Sequence, residues 1–185
     1  MGESWSKLRK RLEEDLLCPS LRGRVRYFRT IYRKAPDQYG RFAVQVDGRE
    51  VFRANPYSEG RIWTLEEQLK EAQSIPPREW TGKGPSGFTN EAENAAAEDK
   101  ARLMAAEEGV VDCFEIPSLL QQYLNQSIEE SLSSSEPVVR MFAILDRRVG
   151  KRRLRQIART WQEQPEWLQF FYRLRLEAEK QEESS

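Results

Sequence analysis

The residues around Asp47-Gly48 restrict this chain more than any others. Before the dipeptide, Phe42, Val44 and Val46 recur at every second position, the period of a strand with one buried face. A two-residue hairpin turn needs positive φ at both central positions, which Asp and Gly accept and branched residues resist. The pattern predicts an antiparallel pair in which Val46 faces Arg49 and Val44 faces Val51, so that Phe42, Val44, Val46 and Val51 share a core face. Upstream, residues 24–34 are dense in β-branched and aromatic residues, with Val25, Tyr27 and Ile31 on one face. Pro36 to Gly40 supplies turn chemistry between the two segments. Three strands joined in sequence by short turns make a meander.

On either side the period changes to that of helices. Trp5, Leu8, Leu12 and Leu16 form a narrow apolar stripe over residues 5–17, stopped at Cys18-Pro19 because the residue before proline is pushed out of the helical region. Thr64 and Glu67 have capping-box spacing and predict a helix to about Ser74. Asn90 precedes an alanine-rich helix to about Glu108, with Gly109 as its stop. Residues 75–90, with three Pro and three Gly, read as a flexible stretch between them. Pro117 opens a helix to about Leu132, and Ser133 to Ser135 break it. Pro137 suits the first position of the next helix, in which Val138, Phe142, Leu145 and Val149 recur. Past Gly150, Leu154, Ile157 and Trp161 resume, and a last helix surrounds Trp167, Phe170, Phe171 and Leu174. The expected fold is α+β: an N-terminal helix, a three-stranded antiparallel meander, then a mainly helical C-terminal half packed on it. Residues 1–176 read as one domain, and residues 177–185 as an acidic, frayed tail.

The sequence contains no histidine, which closes Ser–His–Asp triads, Cys–His pairs and imidazole metal sites. Its two cysteines, Cys18 and Cys113, lack metal-ligand spacing and read as buried thiols rather than a disulfide. No apolar run approaches the roughly 20 residues of a membrane span. No cofactor and no membrane are expected. The segment Gly82 to Gly87 departs from a phosphate-binding loop, because Pro85 removes a donor and no strand precedes it. Glu129 and Glu130 point about 100° apart on a helix and cannot chelate one ion together. Asp146 is expected to pair with Arg140 or Arg153.

A net charge of zero conceals a strong partition. Residues 7–34 carry ten Lys/Arg against three Asp/Glu, and residues 137–160 carry eight against one, whereas residues 56–136 carry six against sixteen. Either acidic helices neutralise the basic segments internally, or the basic segments face an anionic partner. The second reading centres on Arg147, Arg148, Lys151, Arg152, Arg153 and Arg155, since clustered arginines bind phosphates. The helix pair broken at Gly150 has the outline of a helix-turn-helix, but its second helix offers arginine rather than base-reading side chains. Trp161, Trp167, Phe170 and Phe171 are either core or a partner surface, since aromatics concentrate in both.

Two stretches carry a family likeness: Trp5 to Val25 running on to the Asp47-Gly48 hairpin, and Ser127 to Leu132 with Arg140 to Leu154, which contains Leu145-Asp-Arg-Arg-Val-Gly-Lys-Arg152. They resemble a family of conserved hypothetical bacterial proteins. The resemblance implies a bacterial cytoplasmic protein and transfers no catalytic residue. The expected function is a non-enzymatic binding protein whose partner is another protein. Nucleic-acid association through residues 140–155 is the alternative, and a carboxylate- or Mg²⁺-dependent enzyme the third reading. Oligomeric state is left open.

Overall fold

The computed structural model describes residues 4–31, 40–56, 58–82 and 87–183. The turn at Pro36–Tyr39, the side chain of Ile31 and residues Lys83–Ser86 of the loop at 82–87 lie outside the described residues.

Strands β1 (Val25–Ile31), β2 (Gly40–Val46) and β3 (Arg49–Ala54) form the antiparallel meander in the order β1-β2-β3. The turn is as expected: Asp47 and Gly48 take φ of 50° and 79°, and Val46 faces Arg49. The expected register fails one step later. A bulge beside Val44 and Gln45 places Val44 opposite Phe52 and Phe42 opposite Ala54. An unbulged ladder would set Arg53 opposite Phe42, on the buried face. The extra residue instead turns Arg53 to water, buries Phe52 and Ala54, and leaves Val51 only half-buried.

The N-terminal helix α1 (Trp5–Lys10) widens into a π-helical turn over Arg11–Leu16, where the Leu17 N–H bonds the Leu12 carbonyl at 3.1 Å. The wider turn brings residues five apart onto one face, so Leu12 and Leu17 enter the core and Leu16, predicted there, is half-buried. Glu13 on this turn accepts the Tyr27 N–H at 2.8 Å.

Helix α2 (Glu59–Gln73) begins five residues before the predicted start, since Ile62 extends the stripe of Leu65 and Leu69 backwards. The Thr64 hydroxyl, expected to cap, instead donates to the Gly60 carbonyl within the helix. Helix α3 (Glu91–Glu107) packs against α2 through a small core of Leu65, Ala101 and Ala105. Asn90 precedes it with φ of 53° and donates its amide to the Pro77 carbonyl rather than capping. The single helix expected to Leu132 is two: α4 (Ile116–Asn125) and α5 (Ile128–Leu132), divided where Ser127 and Glu130 form a complete capping box.

Helix α6 (Pro137–Leu145) lies at the centre, with every residue buried but Arg140. Phe142 meets Tyr27, Phe42 and Tyr123 at centroid separations of 5.5, 6.1 and 5.5 Å, joining sheet, α6 and α4 in one aromatic cluster. Helices α7 (Lys151–Ile157) and α8 (Glu166–Glu183) close the fold. Helix α8 passes Glu177, where a frayed tail was expected to begin, with Ala178 buried and Glu179 bonded to Arg175 at 2.6 Å. Among the described residues no helix is long and apolar enough to cross a membrane.

Candidate functional site

The turn from α6 to α7 is built around one buried carboxylate. Asp146, 1% exposed, receives the Tyr123 hydroxyl at 2.5 Å, the Arg148 N–H at 2.7 Å, and Arg148 Nε and Nη2 at 3.0 and 2.7 Å. The expected partners of Asp146, Arg140 and Arg153, are both used elsewhere: Arg140 bonds Glu107 and Arg153 bonds Glu129. The Arg148 guanidinium lies 5.7 Å from the Tyr123 ring centroid. Burial pushes the Tyr123 hydroxyl far above its ordinary range, with the Asp146 charge adding to it. On either side, the Cys18 N–H bonds the Leu145 carbonyl and the Arg147 N–H bonds the Leu16 carbonyl, at 2.9 and 2.8 Å. Val149 is buried, and its carbonyl accepts from Arg175 at 3.3 Å. Asp146 and Val149 therefore point inward and Arg147 outward, while Arg148 folds back over Asp146 and the Tyr123 ring.

Helix α7 repeats that division. Leu154 is buried and Ile157 half-buried, so Arg152, Arg155 and Gln156 stand on the opposite, exposed side. Gly150, Arg152, Arg153 and Gln156 line a shallow depression of about 360 Å³. The six candidate cations divide into two groups. Arg148 is held by Asp146, Arg153 by Glu129 at 2.5 Å, and Lys151 lies 3.9 Å from Glu179. The bond from Arg153 holds the Glu129 carboxyl below the usual carboxylate range. Arg147, Arg152 and Arg155 have no carboxylate partner among the described residues.

The aromatic residues proposed as a partner surface face inward for the most part. Phe171 is fully buried, and Trp161, Trp167 and Phe170 are half-buried against the main core. Trp167 stacks on Phe52 at 4.7 Å and donates its indole N–H to the Ala106 carbonyl at 3.1 Å. Among the described residues the exposed rings are Trp63, Trp80, Phe88 and Phe114. Trp63 was legible in principle, being out of phase with Ile62, Leu65 and Leu69. Trp80 and Phe88 fall in the Pro/Gly-rich stretch, where no period operates.

Among the described residues no group of three His, Cys, Asp or Glu side chains could hold a metal ion. Glu130 is engaged by Ser127 and Glu129 by Arg153. Both thiols are free and buried, and burial pushes that of Cys113 up.

The SF0329 protein family matches residues 4–176, and the chain belongs to that family. No curated protein and no solved structure matches it.

Proposed function

We propose that this is a non-enzymatic binding protein of the bacterial cytoplasm, and that Arg147, Arg152 and Arg155 form its working face, taking the phosphates of a nucleic acid. The observation that carries the reading is the unspent charge of these three arginines. Among the described residues no carboxylate of the acidic middle pairs with them, and several are bound elsewhere: Glu107 to Arg140, Glu108 to Arg61, Glu115 and Glu136 to Arg102. A guanidinium without a carboxylate keeps its fork of donors for phosphate oxygens. Gln156 is the neutral polar side chain beside Arg152 in the depression, so the face is suited to gripping backbone rather than reading bases.

Labelled RNA and DNA oligonucleotides titrated across salt test this. Each phosphate contact adds about 0.9 to the slope of log affinity against log salt on duplex DNA, so Arg152→Glu/Arg155→Glu should lower that slope by roughly 2. Arg153→Glu alone would confound the result by freeing Glu129. No binding to either oligonucleotide at low salt would overturn the reading.

A further inference from the structure

The nucleic-acid reading makes no use of the tip of the α2–α3 hairpin. There Trp80 and Phe88 form a β-bridge, and their rings meet edge to face at 5.2 Å while remaining 54% and 41% exposed. The backbone holds them in place: the Thr81 N–H donates to the Gly87 carbonyl at 2.7 Å and the Thr89 N–H to the Glu79 carbonyl at 2.9 Å. The Asn94 amide ties the preceding turn to α3 by donating to the Pro76 carbonyl at 3.0 Å. The surroundings are acidic. Residues 66–99 carry eight Asp/Glu against three Lys/Arg, and one of those three, Arg78, is engaged by Glu91 and Glu98.

An exposed indole and phenyl ring within an acidic surround attract guanidinium groups twice, through the ring faces and through Coulomb attraction. The chain itself carries such a counterpart in Arg147, Arg152 and Arg155. Within one chain the two do not meet: no ion pair or hydrogen bond joins them among the described residues. The hairpin is fastened near the start of α8, by Trp167, whereas the turn before α7 and its first residue meet α8 farther along, at Arg175 and Glu179. We propose that the Trp80–Phe88 tip of one chain docks on the Arg147/Arg152/Arg155 face of a second copy, so that self-association and polyanion binding compete for the same arginines. The inference rests on the same face as the reading above, but not on its ligand.

Sedimentation velocity of the full chain at about 0.05 and 0.5 M salt decides it, because the attraction between exposed charges is screened across that range. The expected result is association that grows with concentration at low salt and disappears at high salt. Trp80→Ala/Phe88→Ala should weaken it roughly tenfold or more, as should Arg152→Glu/Arg155→Glu. An equimolar mixture of the two variants should form a one-to-one complex and nothing larger, since each supplies the half that the other lacks. Circular dichroism checks that both variants are folded. A wild type that stays monomeric at low salt overturns the proposal, as does association that the tip variant leaves unchanged or a mixture that does not associate. Oligonucleotide binding separates the two readings, because the tip variant should retain it. Self-association without any oligonucleotide binding would remove the nucleic-acid reading and leave this one standing.

Discussion

Beneath the sheet, Phe142 stands among Tyr27, Phe42 and Tyr123; between α2 and α3 the buried apolar cluster is Leu65, Ala101 and Ala105. The first cluster joins elements from across the chain through large rings, whereas the second joins only neighbouring helices through small side chains. The hairpin compensates with polar fastenings to the body. Arg102 bonds Glu136 at 2.6 and 3.1 Å and Glu115 at 3.4 Å, and Arg140 bonds Glu107 at 3.0 Å. Backbone bonds from the Asn55 N–H to Val111 and from the Cys113 N–H to Asn55 close its base. The body is thus held by burial and the hairpin by geometry. A segment with few buried apolar contacts opens at lower free energy than the core it is attached to.

The contrast is easiest to break at its strongest point. Phe142→Ala should cost about 3–5 kcal/mol of global stability in urea unfolding, from lost burial plus a cavity. A loss below about 1 kcal/mol would mean that the aromatic cluster does not carry the body. Leu65→Ala should cost about 2 kcal/mol, but as local opening: amide exchange in α2 and α3 should quicken while that in α6 holds. Equal quickening in α6 would show one cooperative unit and dissolve the comparison. At the joint, Gly109 has φ of 81°, and a Cβ there would lie 3.1 Å from Trp167 Cδ1. Gly109→Ala should therefore cost about 1–2 kcal/mol and loosen the hairpin base, seen as faster exchange at Val110 and Val111.

The smallest effect sharpens the polar side of the contrast. Burial pushes the Glu115 carboxyl above the usual carboxylate range, against the pull of Arg102. A carboxyl whose folded pKa is raised contributes stability that is complete below its unfolded pKa and is lost as pH rises through the folded value. Glu115→Gln removes that loss, so its urea midpoint should fall less than that of the wild type between about pH 4 and 7. Parallel curves for the two proteins would show that Glu115 does not titrate abnormally.

Much of the architecture was legible because it rests on local rules. Asp47-Gly48 specified its turn, and Pro137 and Gly109 marked helix ends where the structure has them. The departures from the expected fold also have local causes. Arg53 argued against an unbulged ladder, and Ser127 with Glu130 carried a capping box in plain view. The candidate site was legible only in part. Clustering drew attention to residues 147–155, but did not show that Arg148 and Arg153 are occupied while Arg147, Arg152 and Arg155 have no carboxylate partner among the described residues.

Turn chemistry and hydrophobic period determined, from the sequence alone, a three-stranded meander followed by helices, since both act over a few neighbouring residues. Only the tertiary structure decided which charges are spent and which rings are covered. Arg102 meets Glu136 across 34 positions, and Trp167 reaches Ala106 across 61. Composition counts charges and rings without regard to such pairings, and it is the packing of distant segments that leaves three arginines and the Trp80–Phe88 tip facing water.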